Sequence, residues 1–152
     1  MPRTRLTRIV RFAAAHRYYR PEWSDAENRR VFGSCANPHG HGHNYVLEVT
    51  VEGQVDPRTG YSVDLGALDA LLEERVRGPL DHQHVNHAIP EFGPGAAIPT
   101  SEGILLYLWP RIVEGLATAP GTSTARLVRL RLHEDDQLYV DYSGNESLSP
   151  TP

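Results

Sequence analysis

Between Asn44 and Gly53 the chain alternates without a break. Tyr45, Leu47, Val49 and Val51 fall on one side, Val46, Glu48, Thr50 and Glu52 on the other. A period of two fits a strand with one face on a core and the other toward water, and it fits no helix. Such a strand needs partners. Thr4 to Ala15 supplies one, with Leu6, Val10 and Phe12 set among Arg and Thr, and it runs into Ala13-Ala14-Ala15-His16. Leu127–His133 and Gln137–Tyr142 also alternate, around Glu134-Asp135-Asp136, and read as a hairpin.

Helical signals lie elsewhere. Ser24 and Glu27 have capping-box spacing and predict a short helix through Val31. Asp64 caps a segment carrying Leu65, Leu68, Leu71, Leu72 and Val76, which Gly78-Pro79 stops. Thr100 or Ser101 caps a second segment with Ile104, Leu105, Leu108, Ile112 and Leu116. Pro110 lies inside it and predicts a kink or an earlier end. Leu80 to Asn86 reads as a polar segment. The order of the main elements is strand, strand, helix, helix, strand, strand, which predicts an α+β fold. Residues 1–144 are expected to form one domain, and 145–152 a disordered tail.

With 152 residues the chain can bury one core. Its 39% hydrophobic and 22% charged residues exclude a disordered chain or a coiled coil, and no apolar run is long enough to span a membrane. A net charge of −4 provides no global attraction for nucleic acid. Cys35 is the one cysteine, so no intrachain disulfide can form. Met1 to Arg11 lacks the apolar stretch of a signal peptide, and a cytoplasmic location is expected.

The densest chemistry lies in Cys35-Ala-Asn-Pro-His-Gly-His-Gly-His-Asn-Tyr45. In extended chain, His41 and His43 point the same way, and a third imidazole would complete a three-histidine site with one position open. Spacing offers His16 or His39 for that third place. Cys35 is either a small buried side chain, a thiol activated by a nearby cation, or a fourth ligand that closes the site. Asp81-His82 is a possible oriented acid–base pair. Thr100, Ser101 and Glu102 are explained by a helix cap alone, and Glu134 by a solvated turn.

Taken together, these segments resemble the 6-pyruvoyl-tetrahydropterin synthase / 6-carboxytetrahydropterin synthase family. The match runs in order through Phe12-Ala-Ala-Ala-His16, Val31-Phe-Gly-Ser-Cys35 and His41-Gly-His43-Asn-Tyr45. It continues through Leu80-Asp81-His82, Pro99-Thr-Ser-Glu102 and His133-Glu134-Asp135-Asp136. The resemblance implies the tunnelling fold (T-fold): a four-stranded antiparallel sheet with two helices on one face, assembled into an oligomeric barrel. It implies zinc on His16, His41 and His43, with His39 left out. It makes Cys35, Asp81 and His82 catalytic, the last two contributed across a subunit interface. It makes Glu134 the pterin anchor and places Thr100, Ser101 and Glu102 along the pterin pocket. Gly103 stands where the family commonly has Asn, a departure that bears on helix capping or pocket detail.

The implied activity is a zinc-dependent lyase acting on 7,8-dihydroneopterin triphosphate with elimination of triphosphate, in a homohexamer of two trimers. The long insert between His16 and Cys35, and the six-residue step from Cys35 to His41, resemble the pyruvoyl type, of tetrahydrobiopterin biosynthesis. The alternative is the carboxy type, which feeds queuosine. A second alternative is a ring-forming module that keeps the metal without catalysis.

Overall fold

The computed structural model describes residues 1–145. Strands β1 (Arg3–His16) and β2 (His41–Gln54) form its long central pair, joined to β4 (Arg126–His133) and β5 (Tyr139–Tyr142). Sheet order is β3-β1-β2-β4-β5, antiparallel except where the two-residue β3 (Gln83–His84) adds to β1 in parallel. The four expected strands are therefore present, and β3 is an addition. The anticipated tail lies, Asn145 apart, outside the described residues.

Helix α1 (Asp25–Phe32) is capped as expected, Ser24 Oγ accepting from the Glu27 amide at 3.1 Å. Helix α2 (Leu65–Leu72) starts at Asp64, whose carboxylate accepts from the Ala67 amide, and continues as a π-helical turn over Glu73–Arg77. The short turns α3 (Gly78–Leu80) and α4 (Val85–Ala88) flank β3. Helix α5 (Ser101–Thr118) continues past Pro110 rather than ending there. The ring leaves the Leu106 carbonyl without its intrahelical donor. Leu106 is exposed, so water can serve that carbonyl instead.

The core lies between one sheet face and the helices. Val10, Phe12, Leu47, Val49, Leu130 and Leu132 meet Leu68, Leu71, Leu72, Ile104, Leu108 and Ile112 there. Each buried Leu or Ile contributes roughly 1.5–3 kcal/mol by leaving water. That burial clamps α5 onto the sheet and brings the Pro99–Ser101 segment to the end of β1.

Candidate active site

Strand register builds the site. His16 pairs with His41, Ala14 with His43 and Phe12 with Tyr45, and paired residues share a face. His16 and His41 therefore stand side by side at the end of the two strands, and His43 follows on the same face. Ala14, opposite His43, is small enough to leave room for that ring to lean toward His16. The three ring centroids lie 4.9–5.0 Å apart.

One nitrogen from each ring lies within 4.8 Å of the other two. His16 Nε2 and His41 Nε2 are 3.2 Å apart. Two imidazoles sharing one tetrahedral ion at the usual ~2.0–2.1 Å would hold their nitrogens about 3.3 Å apart. His43 Nε2 is buried without a hydrogen-bond partner. Glu134 Oε1 comes within 3.1 Å of it but outside hydrogen-bond geometry. An orphaned imidazole nitrogen beside two others is a donor set that can hold a metal ion. His39 is exposed and stands outside this group; of the two third histidines that spacing left open, His16 is the one that clusters with His41 and His43.

His16 is fully buried. Its Nδ1 lies 3.1 Å from the Pro99 carbonyl and 3.0 Å from the Tyr45 hydroxyl. With Nδ1–H donating to that carbonyl, the Nε2 lone pair is left facing the cluster. Burial, then the neighbouring His43 and His41, lower its pKa to about 3, so the ring is neutral near pH 7. Gly40 sits at φ +68, and a Cβ there would fall 2.5 Å from the His16 carbonyl oxygen. Only glycine lets the loop close against β1 at this point.

Cys35 lies on the short 3₁₀ turn Gly33–Ala36 after α1. Its Sγ is 3.7 Å from His41 Nε2. Burial, then the negative charge of Glu134, push this thiol up from its ordinary value.

Glu134 is not a solvated turn residue. Its side chain is 13% exposed, and Ser101 Oγ donates to its Oε2 at 2.9 Å. Alternation contained this answer: Leu130 and Leu132 face the core, so Glu134 follows on the same side. Thr100 caps α5, its Oγ1 accepting from the Gly103 amide at 3.0 Å. The departure from Asn at Gly103 thus leaves the cap intact, and a Cβ there would lie 2.5 Å from the Ile98 carbonyl. Glu102 is exposed. Of these three positions, Ser101 is the one that hydrogen-bonds Glu134.

Asp81 and His82 form a second group. Asp81 Oδ1 accepts from the Ala13 amide at 2.9 Å, while Oδ2 lies 2.9 Å from Arg77 Nη2 and 3.0 Å from His82 Nδ1. The Ala13 amide first, then His82 and Arg77, hold this carboxyl below its usual range. His82 has φ 58, alone among described non-glycine residues, and its side chain is 82% exposed. It borders a 420 Å³ cleft that His43 also lines. No hydrogen bond or ion pair joins the pair to Cys35 among the described residues.

A family model described as 6-pyruvoyl tetrahydropterin synthase matches residues 5–145. The chain is 39% identical over 140 residues to a 6-pyruvoyl tetrahydrobiopterin synthase of Poecilia reticulata, covering 91% of this chain and 89% of that one. It is 36% identical to the Homo sapiens enzyme of that name over 91% of this chain and 90% of that one. Its fold matches the solved 6-pyruvoyl tetrahydropterin synthase of Caenorhabditis elegans with a TM-score of 0.82. That pair is 31% identical, with 95% of this chain and 97% of that one covered.

Proposed function

Because the chain belongs to the 6-pyruvoyl tetrahydropterin synthase family, we propose that it is a lyase converting 7,8-dihydroneopterin triphosphate to the 6-pyruvoyl product with elimination of triphosphate. One observation carries this reading. Glu134, braced by Ser101, stands beside three imidazoles able to share one ion, with a thiol 3.7 Å from one of them.

The ion proposed is zinc, one per subunit, on His16, His41 and His43. Three imidazoles with an open position suit a catalytic zinc rather than a structural one. When bound, zinc supplies a Lewis acid for the side-chain hydroxyls of the substrate and makes their neighbouring C–H and O–H bonds more acidic.

The chain's own residues do the rest. Glu134, ionised, is acceptor-only and matches the 2-amino and N3–H donors of a pterin. Ser101 occupies one lone pair of Oε2 and limits rotation of the carboxylate, leaving acceptor sites on both oxygens. Thr100 and Glu102 frame this end of the pocket. Cys35 carries protons between side chain and ring. Asp81 takes the Nδ1–H of His82, which leaves Nε2 free to take or give a proton.

His82 faces solvent in the single chain, so we assign the Asp81–His82 pair to the site of an adjoining copy. The assembly proposed is a homohexamer of two trimers. The proposed location is the cytoplasm, where Cys35 stays reduced.

The test is incubation of the zinc-loaded protein with 7,8-dihydroneopterin triphosphate and identification of products by mass. The expected product keeps the three-carbon side chain, with one triphosphate released per turnover. A 6-carboxy product with acetaldehyde would contradict the pyruvoyl reading. Unchanged substrate would leave a metal-binding module without catalysis.

A further inference from the structure

A cavity of 120 Å³ opens beside Arg17, the residue after His16, and is bounded by residues given no role above. Its walls include Arg17, Tyr19, His84, Asn86, His87 and Phe92. Arg17 follows the buried His16, and its guanidinium lies 4.0 Å over the Tyr19 ring. Its Nε donates to the Ala36 carbonyl at 3.1 Å. These contacts fix the guanidinium while both terminal nitrogens remain without a carboxylate, and no acid lines the cavity.

His84 and His87 stack with centroids 4.1 Å apart and planes at 12°. His84 Nδ1 is buried without a partner. Asn86 is fully engaged, accepting from the Arg17 amide and donating to the Arg17 and Phe92 carbonyls, so it shapes the wall rather than offering a ligand group. His84 also lines the cleft that His43 and His82 share, which places it on the partition between cleft and cavity.

A chain of net charge −4 has here one permanent cation, two imidazoles and no acid. A buried imidazole nitrogen without a partner is unfavourable until something meets it. A tetrahedral oxyanion does so, accepting from the planar guanidinium fork and from an imidazole N–H together. The space holds several water molecules' volume, enough for one phosphate group. Parallel stacked rings do not aim their nitrogens at a common point, and Arg17 repels a cation, so a metal fits poorly.

We infer that this cavity is a phosphate subsite and that its ligand is a phosphate of the polyphosphate chain on the substrate. Recognition of phosphate stands on the cavity alone; the identity of the substrate rests on the function proposed above.

Calorimetric titration of the zinc-loaded protein with inorganic triphosphate tests the site. Arg17→Gln keeps the backbone contacts of Arg17, and His87→Ala alters an exposed side chain. Each is expected to weaken binding by about tenfold or more, the scale of one charge-assisted hydrogen bond. His41→Ala should bind triphosphate as the wild type does. In turnover of the phosphorylated substrate, KM should rise by more than kcat falls in both cavity variants.

Equal binding in wild type and both cavity variants would overturn the site. So would loss in His41→Ala alone, which would put the anion on the metal. Weakened triphosphate binding with an unmoved KM would overturn the substrate assignment in favour of free phosphate. No turnover with triphosphate binding intact would count against the proposed reaction and not against this subsite.

Discussion

Glu134 carries the sharpest expectation at the scale of single residues. Replacing it with Gln keeps the volume but turns one acceptor oxygen into a donor facing a donor. The expected loss is about 2–4 kcal/mol, or roughly 30- to 1000-fold in kcat/KM for 7,8-dihydroneopterin triphosphate. Zinc content and melting temperature should stay at wild-type values, and kinetics indistinguishable from wild type would return Glu134 to a structural role. Cys35→Ala separates thiol from ligand: elemental analysis should find its zinc intact while turnover is lost. A metal-free variant would make Cys35 the fourth ligand. His16 gives a pH expectation for the metal-free protein. Its folded pKa lies near 3 against 6.5 when free. Between those values the unfolded chain binds a proton that the folded one refuses. Stability should therefore fall as pH drops from 6.5 toward 3, by up to about 1.4 kcal/mol per unit. Denaturant titrations across that window should show a shallower slope in His16→Gln. The histidines and Cys35 were legible as chemistry because their spacing is dense. Spacing reads Glu134 as a solvated turn residue, although the alternation of Leu130 and Leu132 places it on the core face.

Register between β1 and β2 does most of the work at the scale of elements. It brings His16, 25 residues away in sequence, beside His41. The long strands and the two main helices could be read from periods of two and 3.6, because each buries a full face. β3 could not, since two residues carry no period. Sequence leaves open whether Pro110 kinks α5 or ends it; that the helix continues depends on the exposure of Leu106, which is a tertiary fact. Gly40 tests how tightly the loop before β2 must close. Gly40→Ala combines a left-handed backbone with a methyl 2.5 Å from the His16 carbonyl. A destabilisation of at least about 1–2 kcal/mol is expected from the backbone alone, together with weaker zinc binding because His16 must move. A melting temperature and a zinc affinity both equal to wild type would show that the loop has slack.

At the scale of the whole molecule, the single chain holds the parts of a site but not their closure. His43, Cys35 and Glu134 meet at the strand ends, whereas His82 turns outward at a strained backbone position. β5 and β3 leave open edges on both sides of the sheet, which association would cover. In the proposed assembly, one active centre therefore takes its thiol from one copy and its Asp81–His82 pair from another. Subunit mixing tests this most directly. Cys35→Ala and His82→Ala proteins, each inactive alone, are unfolded together and refolded as mixed oligomers. Random assembly of two symmetric copies gives both intact groups at roughly one site in four. Recovery of about that share of wild-type activity is the predicted result. Mixed oligomers as inactive as either parent would contradict a shared site, because a site built within one chain always carries one of the two defects.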